Sequence, residues 1–126
     1  MRLPTSALLL ATAWLTAACA PESVDCPAIA VASVQVQVVD ARGRVERDAR
    51  VTYTVDGGPE ERATCAAGPG TSGCAEWVAS YSRPGHYVLT ATSADGQRTA
   101  RGEAQVRQGE CLVVTERVTL TLPDAT

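Results

Sequence analysis

The chain has no phenylalanine, no lysine and no asparagine, and only one histidine and one methionine among 126 residues. Aromatic residues make up 4%, so any core must rest on aliphatic side chains. A lone histidine excludes a multi-histidine metal site. All eleven basic residues are arginine, the formal net charge is −3, and the arginines form no cluster. The electrostatic footprint of a nucleic-acid binder is therefore missing. No apolar run reaches the roughly 20 residues that a membrane-spanning helix needs. Internal repeats, low-complexity tracts and sustained 3.6-residue periodicity are lacking after the N-terminus.

What is present begins with an address. Met1-Arg2 precedes a mostly apolar run, Ala7 to Ala18. That run has the length of an export signal's apolar segment, and a signal helix is expected there. Its end, Leu15-Thr16-Ala17-Ala18-Cys19, resembles the lipobox of bacterial lipoproteins, in which the cysteine becomes the lipidated first residue. Thr16 stands where the aliphatic residue usually falls, with Leu15 one place further out. The competing cut, after Ala20, would put Pro21 directly behind the scissile bond. The expected division is a signal peptide over 1–18, a lipidated Cys19 with an extended tether over 19–31, one domain over 32–122 and a short tail over 123–126. The resemblance implies anchoring to a membrane through several acyl chains.

With Cys19 assigned to lipid, Cys26, Cys65, Cys74 and Cys111 remain, an even set in an exported chain. Such a set points to two disulfides. Three connectivities are open. Cys65–Cys74 is favoured because a glycine-rich loop separates the two, leaving Cys26–Cys111 to tie the start of the domain to its last strand.

The domain reads as strands. Pro84-Gly85 opens a run in which Tyr87, Leu89 and Ala91 share one face and Val88, Thr90 and Thr92 the other, the mark of a half-buried strand. Val34, Val36 and Val38 alternate with Gln35 and Gln37. Val51, Tyr53 and Val55 alternate with Thr52 and Thr54. Glu60 to Cys65 reads as a polar edge strand, and Cys74 to Tyr81 as a strand with Trp77 as the large anchor. Asp95-Gly96 suggests a two-residue hairpin, Gly102 a bulge in the strand from Gln97 to Val106, and Glu116 a bend in a last strand from Cys111 to Leu122. Seven strands joined by short turns predict an all-β, seven-stranded Greek-key β-sandwich.

Asp40-Ala41-Arg42-Gly43 followed by Asp48-Ala49-Arg50-Val51 resembles the "D-x-x-G … A-x-V" opening of carboxypeptidase regulatory-like (transthyretin-like) domains. Pro84-Gly85-His86-Tyr87-Val88-Leu89-Thr90-Ala91 resembles that family's "P-G-x-Y-x-L-x-A" strand. The similarity runs from about Ser33 to Leu122. Gln97 after Gly96 departs from the family's usual tyrosine. The resemblance implies a structural or binding role rather than catalysis. Related surface modules carry Lys–Asn isopeptide crosslinks, which this composition excludes.

Chemistry-bearing residues are few. His86 is the single neutral-pH proton shuttle, and a triad would need Ser80 or Ser82 beside it with Asp48 or Asp95 as the orienting acid. The aspartates fall singly at turns, where carboxylates cap backbone amides, so no calcium loop is expected. The combined expectation is a membrane-anchored cell-envelope lipoprotein without cofactor or metal. Its sandwich would be a non-catalytic binding or structural module for another envelope protein or a glycan. The alternative is a small envelope hydrolase, or an inhibitor of one, with His86 at the site.

Overall fold

The computed structural model describes residues 25–68 and 73–124. The expected signal helix, the lipidation expected at Cys19 and the last two residues of the expected tail lie outside them. Eight strands form: β1 (Ala32–Val39), β2 (Arg50–Val55), β3 (Glu61–Arg62), β4 (Thr64–Cys65), β5 (Trp77–Tyr81), β6 (Gly85–Thr92), β7 (Thr99–Val106) and β8 (Glu116–Thr121). There is no helix among the described residues. The strands make two four-stranded sheets, one in the order β4-β5-β1-β8 and the other β3-β2-β6-β7. Both contribute to one buried cluster, giving a β-sandwich-like, all-β domain.

The core is aliphatic, as the composition requires. Val34, Val36 and Val38 from the first sheet face Val51, Val55, Leu89 and Ala91 from the second. Tyr53 and Tyr87 supply the rings, stacked with centroids 5.8 Å apart. Tyr87 is fully buried and its hydroxyl donates to the Arg83 carbonyl at 2.6 Å, so the phenol's polar end is satisfied without solvent. Trp77, expected as the anchor, is only partly buried and packs at the margin of this cluster. Tyr87, Leu89 and Leu122 are the largest fully buried side chains.

Four expectations need correction. The strand read over Glu60 to Cys65 is two strands: Thr52 pairs with Arg62 in one sheet, and Thr64 pairs with Val78 in the other. Between them Ala63 is buried as the backbone crosses from sheet to sheet, which raises the count from seven to eight. Gly102 is no bulge, since β6 and β7 pair without a break from Gly85–Val106 to Thr92–Thr99. A Cβ on Gly102 would lie 2.7 Å from Leu120 Cδ2, so the glycine makes room for the opposite sheet. The turn at Asp95-Gly96 is a four-residue loop closed by Ser93 N–H donating to Arg98 O at 2.9 Å. The last strand starts only at Glu116. Before it, residues 107–115 double back, with Gly109 N–H donating to Leu112 O and Val114 N–H to Arg107 O, which buries Val113 and exposes Val114.

Disulfides join Cys26 to Cys111 and Cys65 to Cys74, with Cα separations of 5.0 and 5.7 Å. Such bonds belong to an oxidising, extracytoplasmic environment. The tether expected over 19–31 does not run free to its end, because Cys26 is tied to Cys111. Val31 is also held, accepting from Ser82 N–H at 2.8 Å.

A candidate binding groove and the two ends of the sandwich

Toward the end where β2 begins and β6 finishes, the side chains pointing away from the core are mostly threonines. Arg50 lies opposite Thr92, and Thr52 lies opposite Thr90. Threonines leave a shallow floor, and β3 rises beside it with Arg62 opposite Thr52. The result is a groove of about 490 Å³ on the outer face of the second sheet. Glu60, Glu61 and Arg62 form one wall, and Trp77 reaches it from the first sheet where the chain crosses over at Ala63.

Its electrostatics are mixed and partly unspent. Glu61 accepts from Arg83 Nη1 at 2.8 Å. Arg50 and Arg62 have no ion-pair partner among the described residues. The Trp77 Nε1 atom is buried and no acceptor meets it, which is unusual for an indole N–H out of water. Beneath the wall, burial and then the Glu61 carboxylate push the Tyr53 hydroxyl above its ordinary range, while the Ser80 hydroxyl hydrogen-bonded to it opposes the shift. A second recess of about 340 Å³ lies on the outer face of the first sheet between Gln35, Gln37, Glu76 and Arg117. There the buried Gln35 Oε1 lacks a donor.

Neither recess was legible as a site in the sequence. The available signal was the row of outward threonines in Arg50-Val51-Thr52-Tyr53-Thr54 and Thr90-Ala91-Thr92. Small polar residues on one face of paired strands leave a depression wherever a longer neighbour stands beside them. Both recesses are on sheet faces rather than among the loops at the ends.

The end at which β1 begins carries the Cys26–Cys111 bridge and the motif around Gly85. Asp56 Oδ1 accepts from His86 N–H and Asp56 N–H donates to His86 O, each at 2.8 Å. This brings the carboxyl so close that a Cβ on Gly85 (φ +143°) would lie 2.8 Å from Asp56 Oδ2. That contact is the physical content of the Pro-Gly-x-Tyr opening. The opposite end is built on Asp40. Its Oδ1 accepts from the N–H groups of Arg42 and Arg44, its Oδ2 from Arg44 Nε, each at 2.9 Å, and Gly43 takes φ +81°. The Arg44 N–H foremost holds the Asp40 carboxyl below the ordinary range. Asp95 is likewise lowered, mainly by the Ser93 hydroxyl and then by Gln97 N–H. Arg98 Nη2 donates to Glu46 at 3.2 Å and links the two turns.

His86 stands exposed on the outer face of β6, its Nε2 3.8 Å from a Glu103 carboxylate oxygen. The residues named as its partners are engaged elsewhere. Ser80 meets Tyr53, and Ser82 Oγ accepts from Val31 N–H at 3.2 Å. Asp95 lies beyond the far end of β6, about 25 Å away along the strand. Asp48 lies in the turn before β2, beside that same end, since Arg50 pairs with Thr92. The four domain cysteines are in disulfides. No group of three or more His, Cys, Asp or Glu side chains suited to a metal forms among the described residues. Comparison with protein families, with curated proteins and with solved structures finds no match to this chain.

Proposed function

We propose that the protein is an exported lipoprotein of the cell envelope, anchored through acyl chains on Cys19. On this reading its sandwich is a non-catalytic binding module of the carboxypeptidase regulatory-like, Greek-key kind, and its ligand is a hydroxyl-rich, acidic glycan. The groove beside β3 carries the reading: two guanidinium groups without an ion-pair partner among the described residues, a threonine floor and the Glu60 carboxylate. Arginine recognises carboxylates bidentately, and sugar hydroxyls suit threonine and glutamate as partners. Anchoring is supported by the Ala17-Ala18-Cys19 sequence and by the oxidised cysteines that follow. Seven residues from Cys19 to Cys26 would hold the domain within roughly 25 Å of the bilayer. The hydrolase alternative draws no support from the placement of His86.

The test is a panel of acidic and neutral glycans probed with the protein purified from membranes in detergent. Acidic chains are expected to bind, and Arg50→Ala and Arg62→Ala each to weaken binding about tenfold at unchanged melting temperature. Binding indifferent to both substitutions, or none on any glycan, refutes the groove. Separately, Cys19→Ser is expected to move the protein to the soluble fraction without altering its melting temperature. Retention in membranes refutes the anchor.

A further inference from the structure

Among the described residues, the second sheet ends in a long unpaired edge. β7 runs eight residues, contains no proline and has an unbroken register with β6. The other edge strands are shorter: two residues each in β3 and β4, six in β8. Long, straight edges are usually blunted, because their free N–H and C=O groups are a template for another strand.

Which groups are free follows from the ladder. Asp56 N–H donates to His86 O, so the even-numbered residues of β6 bond toward β2. Ser93 N–H donates to Arg98 O, so the odd-numbered residues bond toward β7. With Leu89 opposite Gly102 and Ala91 opposite Ala100, residues 100, 102, 104 and 106 commit their backbone groups to β6. Those of Thr99, Arg101, Glu103 and Gln105 point to the open side. The same four residues are exposed.

We propose that this edge pairs with β7 of a second copy of the chain, antiparallel about a twofold axis at Gly102. The joined sheet has eight strands. The occupant is chosen by charge and register. An antiparallel partner must set odd-numbered residues against odd-numbered ones. With Gly102 on the axis, Arg101 faces Glu103 of the second copy and Glu103 faces its Arg101, while Thr99 faces Gln105. A shift of the axis to Arg101 or to Glu103 sets two like charges directly opposite. Opposite charges on facing strands stabilise the pair and like charges oppose it, so one register of a self-pairing edge is selected. Gly102 at the crossing presents no side chain. The two Cys26–Cys111 ends then lie at opposite ends of the joined sheet, and anchors on both copies would lay the strands along the membrane.

Charge reversal tests this with the full-length chain, processed in its host and carrying either of two C-terminal tags. Extracts in mild detergent are captured on one tag and probed for the other. The wild-type chain is expected to co-isolate with itself. Arg101→Glu alone and Glu103→Arg alone should each lose roughly tenfold to a hundredfold of that signal. Co-expression of the two single variants should restore it, since each like-charged edge then meets its opposite, and the double reversal should retain it. Restoration also shows that both single variants fold. The proposal is overturned if wild-type chains do not co-isolate. It is equally overturned if single variants co-isolate as wild type does, as shared micelles would produce, or if the mixed pair gives no recovery.

Discussion

Removing the two disulfides one at a time should destabilise the domain unequally. Cys26 and Cys111 are 85 residues apart in sequence, and Cys65 and Cys74 are 9 apart. In the chain-entropy model a crosslink stabilises by shrinking the unfolded ensemble. The model gives about 4.6 kcal/mol for the long closure and about 2.6 kcal/mol for the short one. Either is a large share of the roughly 5–15 kcal/mol that keeps a small domain folded, and this core has few aromatic rings to compensate. The perturbation is Cys26→Ser with Cys111→Ser in one variant and Cys65→Ser with Cys74→Ser in the other, so that no free thiol remains. The assay is urea unfolding followed by far-ultraviolet circular dichroism. With a slope of about 1–2 kcal/mol per molar urea, the long-bridge variant should unfold about 1–2 M earlier than the short-bridge variant. Equal midpoints, or an earlier midpoint for the short-bridge variant, would refute the loop-entropy reasoning and shift the weight to contacts around Cys65 and Cys74.

Two further outcomes can be checked on the same material. Gly102→Val forces a Cβ to within 2.7 Å of Leu120 Cδ2 and 3.4 Å of Val118 Cγ1. It should cost about 1–3 kcal/mol, with partial recovery when Leu120→Ala is added; a wild-type melting temperature for the single variant counts against the packing. Asp40 and Asp95 both titrate below the ordinary carboxylate value of 3.8 in the folded chain. Their contribution is therefore present above that value and lost as pH falls through the lowered folded values. Urea midpoints should stay level from about pH 7 to pH 5 and drop below about pH 4, and Asp40→Asn should flatten the drop; an unaltered acid limb in that variant contradicts the assignment.

Strand positions were legible where alternation was strict. The runs Val34-Gln35-Val36-Gln37-Val38 and Tyr87-Val88-Leu89-Thr90-Ala91 carry the period of a half-buried strand, and Val34, Val36, Val38, Tyr87, Leu89 and Ala91 are buried. Reading failed where a strand's fate depends on what lies across from it. Gly102 looks like a local irregularity along the chain, yet it answers to Leu120, which arrives from the other sheet. Ala63 carries no mark of a crossing, because which sheet takes each half of Glu60 to Cys65 depends on the free edges of β2 and β5. The size of Trp77 suggests an anchor, but its strand puts it at the margin of the core.

Composition and period by themselves determined that this is an all-β domain with an aliphatic core, because side-chain alternation and the shortage of aromatic residues are properties of the chain before it folds. The tertiary structure alone decided that outward threonines on β2 and β6 lie beside β3 to make a groove. It alone decided that β7 is left with no paired strand on one side among the described residues. Both depend on which strands become adjacent, a choice set by packing between distant segments that no local pattern encodes.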